Sequence, residues 1–573
     1  MKKLLFIAIA SAVPAMSMAQ AAVDVANLSQ FDLRGTARFM SMGGAFTALG
    51  GDLSTLTQNP AGIGIYRSSE VGITLDLDFQ SFKTSAPGYI GDNSQTKFAC
   101  NNFGYIGTVN LYSESTPTIS FGATYNRVAS FDRITRGAFR NLGGASLSNY
   151  VAAMTNSEGS TYSGYETDAS GQKYPFIGFP PGDMEYDDGY NPYQNQDIPW
   201  LSTLSYTGYV INNNDFVDKD GVKHYQYQGL MGDGTTGSAN FETREKGYID
   251  EYNISIGGNV YNTFYWGLSF GITDLEYKQM SYYQENLKDA YIAAQLSNSE
   301  SGAGDIVKGD ADYRLDNYLH SSGEGFNVKF GVILKPIPEF RIGLAVHTPT
   351  WYKMTDSYWG GIDYVYTPYD PRYNVNKPDP SDPNLYITND GESWHDYNMR
   401  TPWRMMVGMA GVIGGQAIIS ADYEYRGTNM KISDVDNNEY VAVTEDVKTY
   451  YKGTNIFRLG AEYRVTPQVS IRAGYSYESS PVKTEVANDG VMVWTAGTIP
   501  SYYFNKSTQY ITAGLGYRFG GFYADLAYVH RHREATWHAF SPVIVDYAID
   551  QDSPSAKVTS NNNQVVLSFG YKF

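Results

Sequence analysis

A single cysteine, Cys100, stands in 573 residues, and that excludes a disulfide scaffold. Charge is sparse: Asp, Glu, Lys and Arg together make up 18 % of the chain. Basic residues (42) are outnumbered by acidic ones (60), for a formal net charge of −18. No basic footprint marks a nucleic-acid binder, and that class is set aside. After the N-terminus no apolar run approaches the ~20 residues of a spanning helix. What is abundant excludes disorder: aromatic residues reach 15 %, with 50 Tyr beside 58 Gly, whereas disordered chains are poor in aromatics. Tyr and Gly richness, low charge and the lack of helical spans point to one large β-structure.

The first residues read as an export signal. Lys2 and Lys3 precede a short apolar stretch, 4–13, and Ser17-Met18-Ala19 closes it with small residues. This is the secretory order, and the stretch is too short to cross a bilayer, so cleavage is expected after Ala19. No cysteine lies near the cut to carry an N-terminal lipid.

Beyond residue 66 one element repeats. In 69–82, Ile73, Leu75, Leu77 and Phe79 fall on one face and Thr74, Asp76 and Asp78 on the other, because side chains alternate along a strand. A soluble sandwich shares this alternation, but two features favour a membrane barrel. The segments reach the ~9–11 tilted residues a spanning strand needs, and the connections alternate short and long as in outer-membrane barrels. Strands are expected near 69–82, 101–111, 117–130, 249–261, 263–281, 311–335, 340–356, 395–413, 416–429, 453–465, 468–480, 505–519, 522–535 and 561–573. That is an even set of fourteen antiparallel strands, as a closed single-chain barrel requires. Every short turn then falls on the periplasmic side and every long loop, the largest being 131–248, outside. Segment 311–335 is over-long and carries Gly323 and Gly325, so a kink or bulge there is an alternative. In the loops, 138–154 and 285–296 carry helical spacing.

The chain ends with Val565, Leu567, Phe569, Tyr571 and Phe573 on one face, Phe573 being terminal. Aromatic rings of this kind suit the membrane–water interface. Bacterial outer-membrane barrels typically end in such a strand. The resemblance implies that Phe569, Tyr571 and Phe573 are read by the barrel-assembly machinery.

Between the export signal and the first strand, residues 20–66 lack alternation. They contain Arg34-Gly35-Thr36-Ala37-Arg38, Met42-Gly43-Gly44-Ala45-Phe46, Asp52 and Asn59-Pro60-Ala61-Gly62. This combination resembles the N-terminal hatch of the FadL/TodX outer-membrane transport family. That family has a small-residue stretch, acidic and polar residues, and an Asn-Pro-Ala motif just before the first of fourteen strands. The resemblance implies three units: the export signal 1–19, a hatch 20–66 inside the lumen, and a barrel 67–573. A bore of fourteen strands is too wide for its own side chains to fill, and a compact Gly- and Ala-rich segment can fill it. Gly43, Gly44, Gly50 and Gly51 allow tight backbone approach. Asn59 can cap a turn whose φ Pro60 sets. Gly43, Gly44, Asn59, Pro60, Ala61 and Gly62 are therefore the candidate hatch residues, either as a turn that anchors the segment or as a gate that moves with ligand.

The resemblance implies passive uptake of a hydrophobic compound, a long-chain fatty acid or an aromatic hydrocarbon. The outer loops capture it, the hatch gates it, and it leaves sideways through the wall. In the family that gap lies at a kinked strand; here 117–130 offers only Gly122, so no kink is evident. The expected partners are outer-membrane lipid and lipopolysaccharide, with the chain a monomer. No Gly-x-Ser-x-Gly elbow and no cysteine in a nucleophile setting occurs, so neither catalysis nor a cofactor is expected. His530 and His532 share a strand face but lack a third metal ligand. The acidic loops at Asp218 and at Asp434-Val435-Asp436 miss the calcium-loop pattern. The rival reading keeps the fold and drops transport: a FadL-like barrel that shuttles protein cargo for a secretion system, as PorV does. A polar-filled lumen without an apolar pocket favours that rival.

Overall fold

The computed structural model describes residues 21–573 except 169, 188, 196, 297–304, 376–384, 387–392, 489 and 546–547. The export signal and its cleavage point lie outside the described residues. Among the described residues fourteen antiparallel staves close on themselves. They are β1 (Glu70–Ala86), β2 (Tyr89–Asn110), β3 (Thr118–Ser130 and Arg133–Phe139), β4 (Thr236–Val260), β5 (Phe264–Leu296), β6 (Asp305–Ile337) and β7 (Phe340–His347 and Trp351–Pro368). The remainder are β8 (Ser393–Arg400 and Arg404–Ile413), β9 (Ala417–Arg426 and Lys431–Ser433), β10 (Thr454–Arg464), β11 (Val469–Glu478), β12 (Tyr502–Phe519), β13 (Phe522–His538) and β14 (Ser555–Lys572). β14 pairs with β1 over Glu70–Ser85, which closes the ring.

The outward residues form the membrane belt. Ile73, Leu77 and Phe79 on β1, Leu268, Phe270 and Ile272 on β5, and Val565, Phe569 and Tyr571 on β14 are exposed, while their neighbours Thr74, Asp76 and Asp78 are buried inside. An apolar belt outside a polar bore is the reverse of a water-soluble core, and it is the architecture of an outer-membrane barrel. No described helix is long and apolar enough to cross a membrane; the strands do so.

The staves run longer than hydropathy shows, because pairing continues beyond the lipid. Residues 83–100, expected to be loop, form one hairpin that turns at Pro87-Gly88. Segment 285–296, whose spacing reads as helical, is the outer end of β5; it pairs with β6, with a bulge at Lys288-Asp289 where Asp289 adopts φ 55°. Segment 311–335 belongs to one continuous strand, so neither Gly323 nor Gly325 divides it. The helix expected over 138–154 forms at Leu147–Gly159. Its start is set by Ser146, whose hydroxyl accepts from the Ser148 N–H, and by Glu285, which accepts from the Leu147 N–H at 2.8 Å. Residues 138–139 complete β3 instead.

The outer loops fold back over the mouth. Tyr150, Phe179, Leu201, Leu204 and Phe540 join Phe241, Tyr283, Tyr313, Tyr358 and Trp537 of the staves in one apolar cluster. Phe139, Phe241 and Trp537 stack across the bore, with Phe241 and Trp537 3.9 Å apart.

Candidate functional site

Residues 21–66 pack against inward-facing residues of the staves. They form three short helices, α1 (Ala22–Leu28), α2 (Ala37–Ser41) and α3 (Thr55–Gln58), and a 3-10 turn, Pro60–Ile65. Asn59 caps that turn: its Oδ1 accepts from the Ala61 N–H at 3.1 Å and its Nδ2 donates to the Thr47 carbonyl at 2.6 Å. Pro60 follows at the first turn position, where its missing N–H costs nothing. Asp52 accepts from the Thr36 hydroxyl (2.7 Å) and the Ser54 N–H (3.0 Å), tying the segment to itself.

Glycines let this segment lie backbone-to-backbone on the wall. Gly43 and Gly44 adopt φ of 63° and 75°. A Cβ on wall residue Gly474 would stand 2.2 Å from the Gly43 nitrogen. Similar clashes would arise at Gly267 with Pro60 O (2.1 Å), Gly331 with Asn59 Oδ1 (1.8 Å), Gly343 with Thr47 O (2.0 Å) and Gly460 with Met42 O (2.5 Å). Gly257, Gly408 and Gly514 would meet Ile63, Thr47 and Ser41 within 3 Å. These eight wall glycines sit on eight different staves and form a seat moulded to the segment. Gly62 does the same within the segment, where a Cβ would strike Thr55 Oγ1 at 2.5 Å. Ala61 is fully buried.

Ion pairs hold the segment around the circumference. Arg34 reaches Asp76 (3.0 Å) and Asp78 (3.7 Å) on β1, and Arg38 reaches Glu462 (3.0 Å) on β10. Asp32 bonds Arg531 (3.0 Å) and Arg533 (2.8 Å) on β13. Burial works against its charge, but these two arginines prevail and hold the carboxyl below the usual carboxylate range. Beside it, Glu424 is fully buried between Arg404 (2.8 Å), Arg426 (2.8 Å) and Arg458 (2.6 Å). Phe31 stacks on Arg404 and Arg426, its ring centre 4.2 and 5.2 Å from their guanidinium carbons.

The wall parts between β2 and β3. Their ladder runs only from Asn102↔Asn126 to Asn110↔Thr118. Further out, β2 pairs with β1 alone, and β3 with β4 alone. A one-residue bulge marks each edge, at Asn101 on β2 and at Val128 on β3, and such bulges bend the strand that carries them. β3 then breaks at Phe131-Asp132. The N-terminal segment touches both edges from inside. The Asp32 N–H donates to Val128 O (2.8 Å) and its Oδ2 accepts from the Ser130 N–H (3.1 Å). Arg34 donates to Asn101 Oδ1 (2.9 Å). A cavity of about 420 Å³ opens at the parting, lined by Arg34, Asp76, Asp78, Lys97, Arg127 and Asp132 among others. Lys97 and Asp132 span the two edges at 3.2 Å.

A second cavity, of about 90 Å³, lies between α1 and the outer cap, beside Asp24, Glu245, Tyr277, Ile499, Lys506 and Arg533. Burial pushes the Asp24 carboxyl up to about 7, aided by Asp356 and Glu245 and opposed by a bond from the Ala21 N–H. The folded chain therefore holds this proton more tightly than the unfolded chain. Stability attributable to Asp24 is present below about pH 4, falls as pH rises to about 7, and stays lost above it. Asp24→Asn is expected to remove that slope, read as the difference between the two melting curves in detergent across this range.

The other sequence candidates sit apart. Phe569, Tyr571 and Phe573 are exposed at the end of β14 where the short turns lie. Tyr571 stacks with Phe573 at 5.7 Å, and Phe573 exchanges backbone bonds with Ser69, closing the ring. His530 and His532 face outward and bond Asn563 and Asn561. Asp218 and Asp434 bond their own turns. No group of three or more His, Cys, Asp or Glu placed to hold a metal occurs among the described residues. Alternation alone did not single out the wall glycines, the Glu424 cluster or the parting. A glycine at one inward position on stave after stave was the signal for the first.

Among solved structures, the chain is similar over 95 % of its length to the following proteins, among others: a Pseudomonas aeruginosa FadL homologue (12 % identity, 99 % of that chain, TM-score 0.47), the Ralstonia pickettii toluene transporter TbuX (14 %, 99 %, 0.42) and the P. putida toluene transporter TodX (12 %, 99 %, 0.41). No family model matches the sequence, and neither does any curated protein.

Proposed function

We propose that the protein is a passive outer-membrane channel for hydrophobic compounds, in which residues 20–66 act as the hatch and cargo leaves sideways between β2 and β3. The observation that carries this reading is the parted wall. A lateral opening serves only a cargo that moves between lumen and bilayer, because such a cargo keeps its apolar surface out of water at about 25 cal/mol per Å². Asp32 and Arg34 support the reading from within, since one three-residue stretch bonds both edges of the parting. Asn59, Pro60 and Gly62 then anchor the far end of the hatch, while Gly43 and Gly44 seat its middle. Phe569, Tyr571 and Phe573 serve insertion by the barrel-assembly machinery.

The test bridges the parting. Lys97→Cys and Asp132→Cys, in a Cys100→Ser background, are joined by a short bis-maleimide in the reconstituted protein. Uptake of a labelled long-chain fatty acid and of toluene into vesicles is expected to fall at least tenfold on cross-linking and to persist without it. Equal uptake with and without the bridge rejects lateral release. No uptake by the intact protein rejects transport.

One observation favours a second reading, a protein-interaction barrel that shuttles cargo. The cavity beside α1 is only about 90 Å³, with Asp24, Glu245, Glu478, Lys506 and Arg533 in its lining, and aromatic residues fill the mouth above it. Absent uptake, together with stoichiometric capture of one exported protein, decides for this reading.

A further inference from the structure

β5, β6 and β7 continue far past the membrane, and their outer faces carry a second aromatic surface. The lipid-facing row on β5 ends at Ile272, and Asp274 and Glu276 follow on the same face. Met280 lies eight residues beyond Ile272, roughly 26 Å along a strand at ~3.3 Å per residue. With the usual tilt of ~40° that places it about 20 Å above the apolar belt.

At this height the register sets Met280 beside Tyr318 and Tyr318 beside Trp359. All three share the face of the belt, since each lies an even number of residues from Ile272, Phe326 or Trp351 on its own stave. The ring of Tyr386 joins Trp359 at 5.8 Å. One register step away, Trp394 stands opposite Ser357 and is 69 % exposed. The row lies on a regularly paired sheet, and polar groups flank it. Arg314 covers the Tyr282 ring at 4.2 Å and pairs with Asp316 at 2.7 Å. The opposite face of the same staves is different in kind: Tyr277, Tyr283, Tyr313 and Tyr358 are buried under the outer cap. Met280, Tyr318, Trp359 and Trp394 are not part of that core, and only Tyr386 of the row packs against it.

We infer that this row is a binding platform for the oligosaccharide of outer-leaflet glycolipids. The occupant follows from continuity. The platform is the same wall as the lipid-facing belt, one layer higher, and what stands one layer above the acyl chains is the sugar attached to them. The chemistry matches. Flat aromatic rings with polar edges present both an apolar face for sugar C–H groups and a hydrogen-bonding rim. Interleaved Arg314, Asp316 and His320 supply donors and acceptors for hydroxyls. A bare acyl chain has no use for this polar interleaving, and the belt below already serves it. The inference does not depend on which cargo, if any, the bore carries.

The test uses the full-length protein in detergent and three probes: lipid A, rough lipopolysaccharide carrying its core oligosaccharide, and that oligosaccharide released by mild acid. Calorimetry and intrinsic tryptophan fluorescence are expected to show saturable binding of the released oligosaccharide. Trp359→Ala is expected to weaken it at least tenfold, and Trp266→Ala, in the lipid-facing belt, to leave it unchanged. Because Trp359 is partly packed, Trp394→Ala is the second variant. It is exposed, its fold is checked by heat-modifiable gel mobility, and a threefold or greater loss is expected. The inference is overturned if the released oligosaccharide does not bind, if lipid A alone accounts for all binding, or if both variants bind as the wild type does. Capture of a protein by the same face, unaffected by added oligosaccharide, also overturns it.

Discussion

Deleting residues 20–66 while keeping the export signal is expected to turn a silent barrel into a conducting one. A ring of fourteen strands encloses more space than its inward side chains fill. Here the missing volume belongs to the N-terminal segment, which rests on wall glycines from β4 to β12. Without it, Gly267, Gly331, Gly343, Gly460 and Gly474 face empty space and water enters. Single-channel recording in planar bilayers should show conductance at least tenfold above the intact protein, with matching entry of a small polar dye. The deletion also leaves Asp76, Glu462, Arg531 and Arg533 without their partners in the segment. Glu462 keeps Arg472 and entering water solvates the other charges, so the loss comes from the segment's own buried packing and ion pairs, and the unfolding midpoint in denaturant should fall as conductance rises. Conductance no higher than that of the intact protein would mean that the aromatic cap over the mouth closes the bore by itself, and the hatch reading would fail.

Glu424→Ala should be among the most damaging single substitutions. The carboxylate is fully buried and serves three arginines from β8, β9 and β10. Removing it leaves like charges facing one another in a site from which water is excluded. Breaking a buried pair in this way costs about 3–5 kcal/mol. Arg426 keeps Glu478 at 3.0 Å, whereas the Arg404 and Arg458 ion pairs are made to Glu424. Equilibrium unfolding in urea with the protein in detergent measures the loss. Glu424→Gln retains an acceptor and should cost clearly less. A loss below about 1 kcal/mol for Glu424→Ala would show that water reaches the cluster and screens it. Because Phe31 stacks on two of these arginines, protease access to residues 20–34 should increase in the same variant.

Much of the fold is written into local pattern. Each of the fourteen expected strands has its stave, and the short turns at Gly414-Gly415, Thr466-Pro467 and Gly520-Gly521 join the staves they were expected to join. Alternation shows because the belt residues answer to lipid on one side and to a polar bore on the other, and both demands have period two. Outside the membrane that demand ends, and so does the legibility. The outer end of β5 reads as helical because its inward Tyr283, Glu285 and Leu287 answer to the cap and not to lipid.

The candidate site divides in the same way. Asn59 and Pro60 announce a capped turn, because the capping bond and the fixed φ act within a few residues. Which surface that turn rests on is not local. The seat exists because Gly331 of β6 and Gly343 of β7 reach the same height from positions nearly 300 residues along the chain from Asn59 and Thr47.

The sequence by itself determined the membrane-spanning ring, its strand number and a strandless N-terminal stretch, since each follows from spacing along the chain. Only the tertiary structure decided where the wall parts, which carboxylate gathers three arginines and which glycines receive the segment. Those features depend on register between distant strands, and register is set when the ring closes.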